Sequence, residues 1–273
     1  MKKALKTIAI VLALITLGVP AQAQRRTIRY LSNYENEPYH FGFLLAYNQM
    51  MYDIKTVEGY QNIPLSPDLL PGNDLSISLQ NTQNLYVYNI ETRQAPGFTV
   101  GIIGSKRLGR YFDLRLIPTL SFSDRQLDYT IAIEDKTGKK SIESLNKAIF
   151  TTFVEFPLNI KYRSKRYNNI GAYVMAGVNP KLDLASQKKN AIQLLNPTTG
   201  EPNTVINNLV TKRFDFAGEV GVGFDIYNQW FKMGIEIKMS YGFLDIVKGD
   251  SFLYTAPIDK LRNKMFQLSF LFE

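Results

Sequence analysis

The chain has one histidine and no cysteine, and these two counts decide most of the catalysis it could offer. Without cysteine there is no thiol nucleophile, no thiolate metal ligand and no disulfide. A serine or threonine nucleophile usually needs a histidine base within hydrogen-bond reach, so any such dyad would have to use His40. That residue opens the first extended segment, and its setting reads as a membrane interface rather than as a catalytic base. Asp53, Asp74 and Asp128 are candidate acids of connecting loops, where carboxylates are ordinarily solvated. Gly218, Gly221 and Gly223 fall inside an alternating segment and not ahead of a helix, so they do not form a phosphate loop. Arg163-Ser164-Lys165-Arg166 reads as a charged turn that could touch acidic headgroups or a partner. No catalytic constellation, metal-ligand spacing or cofactor loop emerges, and the reading is of a non-enzyme with no small-molecule substrate.

Six other charged residues do fall into a pattern: Arg115, Glu155, Lys161, Glu219, Glu236 and Lys238. Each lies on the polar side of a two-residue alternation, the period that sends successive side chains to opposite faces of a strand. Phe150, Thr152, Val154, Phe156, Leu158, Ile160 and Tyr162 share one face, opposite Glu155 and Lys161. Phe231, Met233, Ile235, Ile237, Met239 and Tyr241 likewise oppose Glu236 and Lys238, and Phe266, Leu268, Phe270 and Phe272 oppose Gln267 and Ser269.

The same test along the chain gives eight candidate strands, near 40–52, 96–108, 111–124, 148–163, 170–182, 213–226, 230–242 and 264–272. Residues 85–92 and 125–133 also look extended. Each candidate is long enough for a tilted strand to cross a bilayer. Short links (Gly109-Arg110, Ser164 to Asn169, Tyr227 to Gln229) alternate with long ones, expected as loops at 53–95, 134–147, 183–212 and 243–263. An up-and-down outer-membrane barrel has this arrangement, with tight periplasmic turns, long outer loops and both ends in the periplasm. The expected fold is therefore all-β, an eight-stranded antiparallel transmembrane barrel over 40–273, with 24–39 as a periplasmic lead-in. Pro118 and Pro157 should distort the third and fourth strands.

Alternation by itself also fits a soluble ligand-binding barrel with its apolar face inward. Three features favour the membrane. Lys2, Lys3, Lys6, the apolar run Ile8 to Leu17 and Ala21-Gln22-Ala23 make 1–23 a signal peptide, too short for a transmembrane helix. Its removal takes the formal charge from +8 to +5, and export makes nucleic acid an improbable partner for this modest basicity. Link lengths alternate. Aromatic residues cluster at strand ends: Phe41, Phe112, Tyr162, Phe224, Tyr227, Trp230 and Phe272 at one rim, and Tyr52, Phe122, Tyr129, Phe150, Phe214 and Tyr241 at the other. The six charges would then face a lumen that eight strands leave just wide enough for side chains to fill. Paired, they form a plug; a narrow ion or proton path is the sharper alternative.

Two strings carry a family resemblance: Leu114-Arg115-Leu116-Ile117-Pro118-Thr119-Leu120-Ser121-Phe122, and Glu155-Phe156-Pro157-Leu158-Asn159-Ile160-Lys161-Tyr162-Arg163-Ser164-Lys165-Arg166. With Gly177-Val178-Asn179 and Asp183-Leu184-Ala185-Ser186, they resemble the PorT family of Bacteroidetes outer-membrane barrels. The resemblance implies a non-enzymatic component required by the type IX secretion system, in contact with other secretion or barrel-assembly proteins, and brings no active-site residues with it. The alternatives are a generic small barrel acting adhesively or structurally through its loops, an accessory subunit of a barrel-assembly complex, or a pore.

Overall fold

The computed structural model describes residues 28–65, 82–185, 191–195, 202–206, 209, 211–247 and 254–273. The expected signal peptide, Asp74 and parts of the expected loops lie outside these residues. Thirteen strand segments follow in order: β1 Tyr39–Thr56, β2 Thr82–Arg93, β3 Ala95–Arg107, β4 Phe112–Leu116, β5 Thr119–Asp135, β6 Lys140–Glu155, β7 Leu158–Arg163, β8 Ile170–Asp183, β9 Ala191–Leu195, β10 Pro202–Ile206, β11 Phe214–Tyr227, β12 Lys232–Gly242 and β13 Ile258–Phe272. Eleven of them make one sheet, and β9 and β10 pair separately.

The eleven segments amount to eight passes of one wall. β2 and β3 are separated only by Gln94, β4 and β5 by Ile117 and Pro118, and β6 and β7 by Phe156 and Pro157. Every pass pairs antiparallel with the next, and the wall closes where β1 meets β13, Phe43 opposite Phe272 through to Thr56. Closure leaves these passes without open edges at the seam.

The two prolines interrupt the strands without changing which face is which. Arg115, Ile117 and Thr119 stay buried across Pro118, and Glu155, Pro157 and Asn159 stay buried across the second break. Carbonyl acceptors carry the ladder through. Ile102 N donates to Pro118 O (3.0 Å), Ile117 N to Pro157 O (3.1 Å) and Phe156 N to Pro180 O (3.0 Å).

Two expected loops prove to be strand in part. Residues 82–93 of the expected 53–95 loop form β2, and β1 runs on to Thr56. The expected 134–147 loop is a tight hairpin: β6 begins at Lys140, Asp135 N donates to Lys139 O (2.9 Å), and Gly138 takes φ +80°. Glycine enters that left-handed region without steric cost. β2, β5 and β6 thus continue well past the rest of the wall.

The barrel is filled differently in its two halves. Beyond the long-link end, Tyr52, Leu85, Val87, Leu127, Tyr129, Ile131, Ile133, Leu145, Ile246, Tyr254 and Leu261 form an apolar core. Towards the short-turn end the interior is mainly polar, with one apolar cluster of Leu44, Ala46, Ile103, Ile117 and Leu271 on the side of β1. The outer wall there carries Phe41, Phe43, Leu45, Tyr47, Ile102, Ile160, Val174, Val222, Phe224, Ile237, Leu268 and Phe270, all exposed. A sheet with a polar inside and an apolar outside is built for hydrocarbon.

Candidate functional site

Among the described residues, chemistry-bearing side chains converge in the lumen. Alternation turns the odd-numbered residues of β4, β7, β8, β11 and β13 inward, together with the even-numbered residues of β12. All six charges singled out above are buried there, Arg115 at 1% exposure. Together the lumen holds seven cations and eight carboxylates among the described residues.

They lie in layers. Near the short turns Lys232 meets Glu273, and Arg163 lies 3.1 Å from Asp113. Above them Lys161 Nζ donates to Asp225 (2.7 Å). Glu236 accepts from Arg115 Nη1 (2.9 Å) and from the Tyr173 hydroxyl (2.8 Å), while Arg115 Nη2 also reaches Glu273 (3.5 Å). The Tyr173 ring sits beneath both cations, 3.6 Å from Lys161 Nζ and 5.4 Å from the Arg115 guanidinium. Gly223 makes room for it, since a Cβ there would lie 2.4 Å from the ring.

The next layer centres on Glu219, which accepts from Asn179 (2.7 Å), Asn159 (3.2 Å) and Lys238 (3.2 Å). Glu155 accepts from Asn179 and lies 3.5 Å from Lys181. Higher still, Arg125 donates to Asn263 (2.6 Å), to Thr151 and to Asp183 (3.1 Å), and Asn263 donates to Asp215 (2.8 Å). The Arg125 guanidinium lies 4.7 Å from the Tyr52 ring, where the polar lumen gives way to the apolar core. Buried charge is tolerable only when paired and hydrogen-bonded. Among the described residues, one oxygen each of Asp113, Glu155, Asp225, Glu236 and Glu273 has no hydrogen-bond donor.

Residues 28–38 cover the short-turn mouth. Tyr34 stacks on His40 (centroids 4.0 Å apart), meets Tyr227 edge-on (6.0 Å), and donates its hydroxyl to Glu273 (2.8 Å). Lys232 Nζ lies over its ring at 4.7 Å. Burial, followed by the adjacent Glu273 carboxylate, raises the Tyr34 hydroxyl above the ordinary tyrosine range, so it remains a donor. The turn before β8 ties the segment down. Arg166 donates to Tyr30 O and to Asn169 Oδ1 (2.7 Å), and Asn169 Nδ2 donates to Ile28 O (2.9 Å).

The other expectations resolve individually. His40 is not interfacial: it faces the lumen, buried beneath Tyr34. Tyr52, Tyr129 and Tyr227, expected at the rims, are buried inside, whereas Phe41, Phe112, Tyr162, Phe224, Trp230, Phe150 and Phe214 are exposed on the wall or its ends. The run from Arg163 to Arg166 divides, with Arg163 inward on Asp113 and Arg166 holding the N-terminal segment. Asp53 accepts from Tyr241, and Asp128 pairs with Arg93 (2.9 Å). Asp113, Asp225, Lys232, Glu273 and Tyr173 belong to the network and were not anticipated, although each sits on the inward parity of its strand.

The family profile described as outer membrane protein β-barrel domain matches residues 21–248. No curated protein matches the chain. Among solved structures, Neisserial surface protein A is similar at 11% identity, covering 86% of this chain and 98% of that one, with a TM-score of 0.38. The attachment invasion locus protein of Yersinia pestis, in complex with the heparin analogue sucrose octasulfate, is similar at 9% identity, covering 86% and 98%, with a TM-score of 0.33. The outer membrane protein OprG of Pseudomonas aeruginosa is similar at 9% identity, covering 85% and 92%, with a TM-score of 0.34.

Proposed function

The chain belongs to the outer membrane protein β-barrel domain family, is a protein of the Gram-negative outer membrane, and from that premise we propose that it is a non-enzymatic anchor or assembly factor of a type IX protein-export apparatus. In this reading the short turns and residues 28–38 face the periplasm and the long links face outward. The observation that carries it is the lumen itself. Its charges are paired layer by layer, and Tyr34 covers the mouth, so the working surfaces are the outer wall, the rims and the projecting strands. The sequence resemblance to PorT-type barrels supplies the export context. The single histidine is used for stacking beneath Tyr34, which fits a role without catalysis.

The test is a deletion strain. Proteins carrying the shared C-terminal sorting domain should disappear from its secreted fraction and return on complementation. Unchanged export would overturn the assignment.

A second reading rests on a different observation. The apolar core beneath β2, β5 and β6 makes their extension a rigid platform above the wall, a form suited to adhesion. It predicts lost surface binding with intact export in the same strain.

A further inference from the structure

We propose that the outer rim at the barrel seam holds the phosphate-bearing headgroup of an anionic glycolipid of the outer leaflet. The site lies on three neighbouring strands, β12, β13 and β1. Outward-facing Lys260, Arg262 and Lys264 follow one another along β13 at two-residue spacing, about 7 Å per step on an extended strand. In register beside them, Lys55 stands opposite Lys260, Asp53 opposite Arg262, and Tyr241 of β12 opposite Lys264.

Immediately below this row the same three strands turn apolar. Phe266, Leu268 and Phe270 on β13, Tyr47, Leu45 and Phe43 on β1, and Ile237 on β12 are all exposed. The cations therefore stand at the edge of the hydrocarbon-facing wall, the level at which headgroups lie. Lys264 marks the boundary, its Nζ 5.4 Å from the Phe266 ring.

The pairing within the row leaves charge available. Lys55 is engaged with Asp259 (3.3 Å), and Arg262 donates to the Tyr241 hydroxyl (3.3 Å), which itself donates to Asp53. Lys260 and Lys264 have no carboxylate partner among the described residues. The Arg262–Tyr241–Asp53 chain fixes the middle of the row, so two ammonium groups flank a positioned guanidinium. Such an arrangement suits separated phosphates on a lipid whose acyl chains lie along Phe266, Leu268 and Phe270. An acidic protein would also find the charges, but it would not account for their continuity with the apolar wall.

The test uses the full chain in zwitterionic micelles, titrated with bisphosphorylated lipid A, with the same lipid after dephosphorylation, and with inorganic phosphate. The bisphosphorylated lipid should bind at least about tenfold more tightly than its dephosphorylated form. At about fivefold per cation near an anionic surface, Lys260→Ser with Lys264→Ser should weaken it about thirtyfold. Heat-dependent gel mobility should stay that of the folded barrel. Lys139→Ser with Lys140→Ser, which removes the same charge at the hairpin tip, should leave binding unchanged. Equal binding of the dephosphorylated lipid, equal weakening by the hairpin variant, or displacement of the lipid by inorganic phosphate alone would each overturn the site.

Discussion

At the scale of single residues the lumen is a set of charges whose value lies in not being alone. Arg115 serves two carboxylates, Glu236 and Glu273, and stacks over Tyr173. Replacing it with methionine leaves Glu236 without its cation in a buried setting, while Glu273 keeps Lys232, a loss of about 3–5 kcal/mol. Removing Glu236 as well, as Arg115→Met with Glu236→Leu, takes away the stranded charge and should recover part of that loss. Urea unfolding followed by gel mobility in micelles measures both, and a double variant no more stable than the single one would contradict the pairing. These charges were legible because alternation is strict where the outside is apolar and the inside polar. The reading weakened where the inside also becomes apolar. Tyr52 and Tyr129 share the inward parity of Asn48 and Arg125, yet hydrophobicity alone sends them outward; they are core residues of the extension. Glu273 shows the opposite difficulty. It follows Phe270 and Phe272 of the outward face, but its parity is that of Ser269 and Leu271, and its carboxylate turns in to meet Lys232 and Tyr34.

Among the elements, the strand ends and close approaches decide whether the wall can form. Gly177 lies between Asn159 of β7 and Glu219 of β11. A Cβ there would stand 2.2 Å from both Leu158 O and Asn159 Oδ1, and a backbone carbonyl held in a ladder cannot step aside. Gly177→Val should abolish the heat-modifiable folded band, whereas Gly109→Ala, with nothing within 4 Å of the new Cβ, should leave it intact. A folded band for Gly177→Val would mean that β7 and β8 are not held at this distance. The breaks at Pro118 and Pro157 were visible in the sequence as prolines in strand patterns. That they leave parity intact was not visible, because it depends on neighbouring N–H groups finding the Pro118 and Pro157 carbonyls. Residues 28–38 read only as a polar lead-in. Their binding to the mouth comes from contacts over a hundred residues away in sequence, to Asn169, Arg166 and Glu273, which periodicity does not register. Tyr34→Ala should release this segment. Limited proteolysis would then cut between Ile28 and Pro38 at protease levels that spare the parent chain, and equal resistance would show that Tyr34 does not hold it.

For the whole molecule, the question the sequence left between plug and path becomes a matter of how many independent barriers lie along the axis. The Tyr34 segment closes the mouth, and behind it stand the Arg115–Glu236 layer, the Glu219 layer and the Arg125 layer, followed by the apolar core at the far end. A conducting path would need all of them open at once. Planar bilayers holding the purified chain should therefore show no stable single-channel steps. Tyr34→Ala should not create them, because the layers behind the mouth remain paired. Truncating whole layers together, with Arg115→Ala, Glu236→Ala and Lys238→Ala, should still leave Arg125 held by Asp183 and Asn263 and the extension packed on Tyr52 and Tyr129, so a noisier but discontinuous current is expected. Stable steps in the parent chain would return function to the lumen. Steps gained by Tyr34→Ala alone would make the N-terminal segment a gate and remove the sealed lumen as the basis of the export reading. A silent barrel in both leaves the seam, the rims and the projecting strands as the surfaces through which it acts.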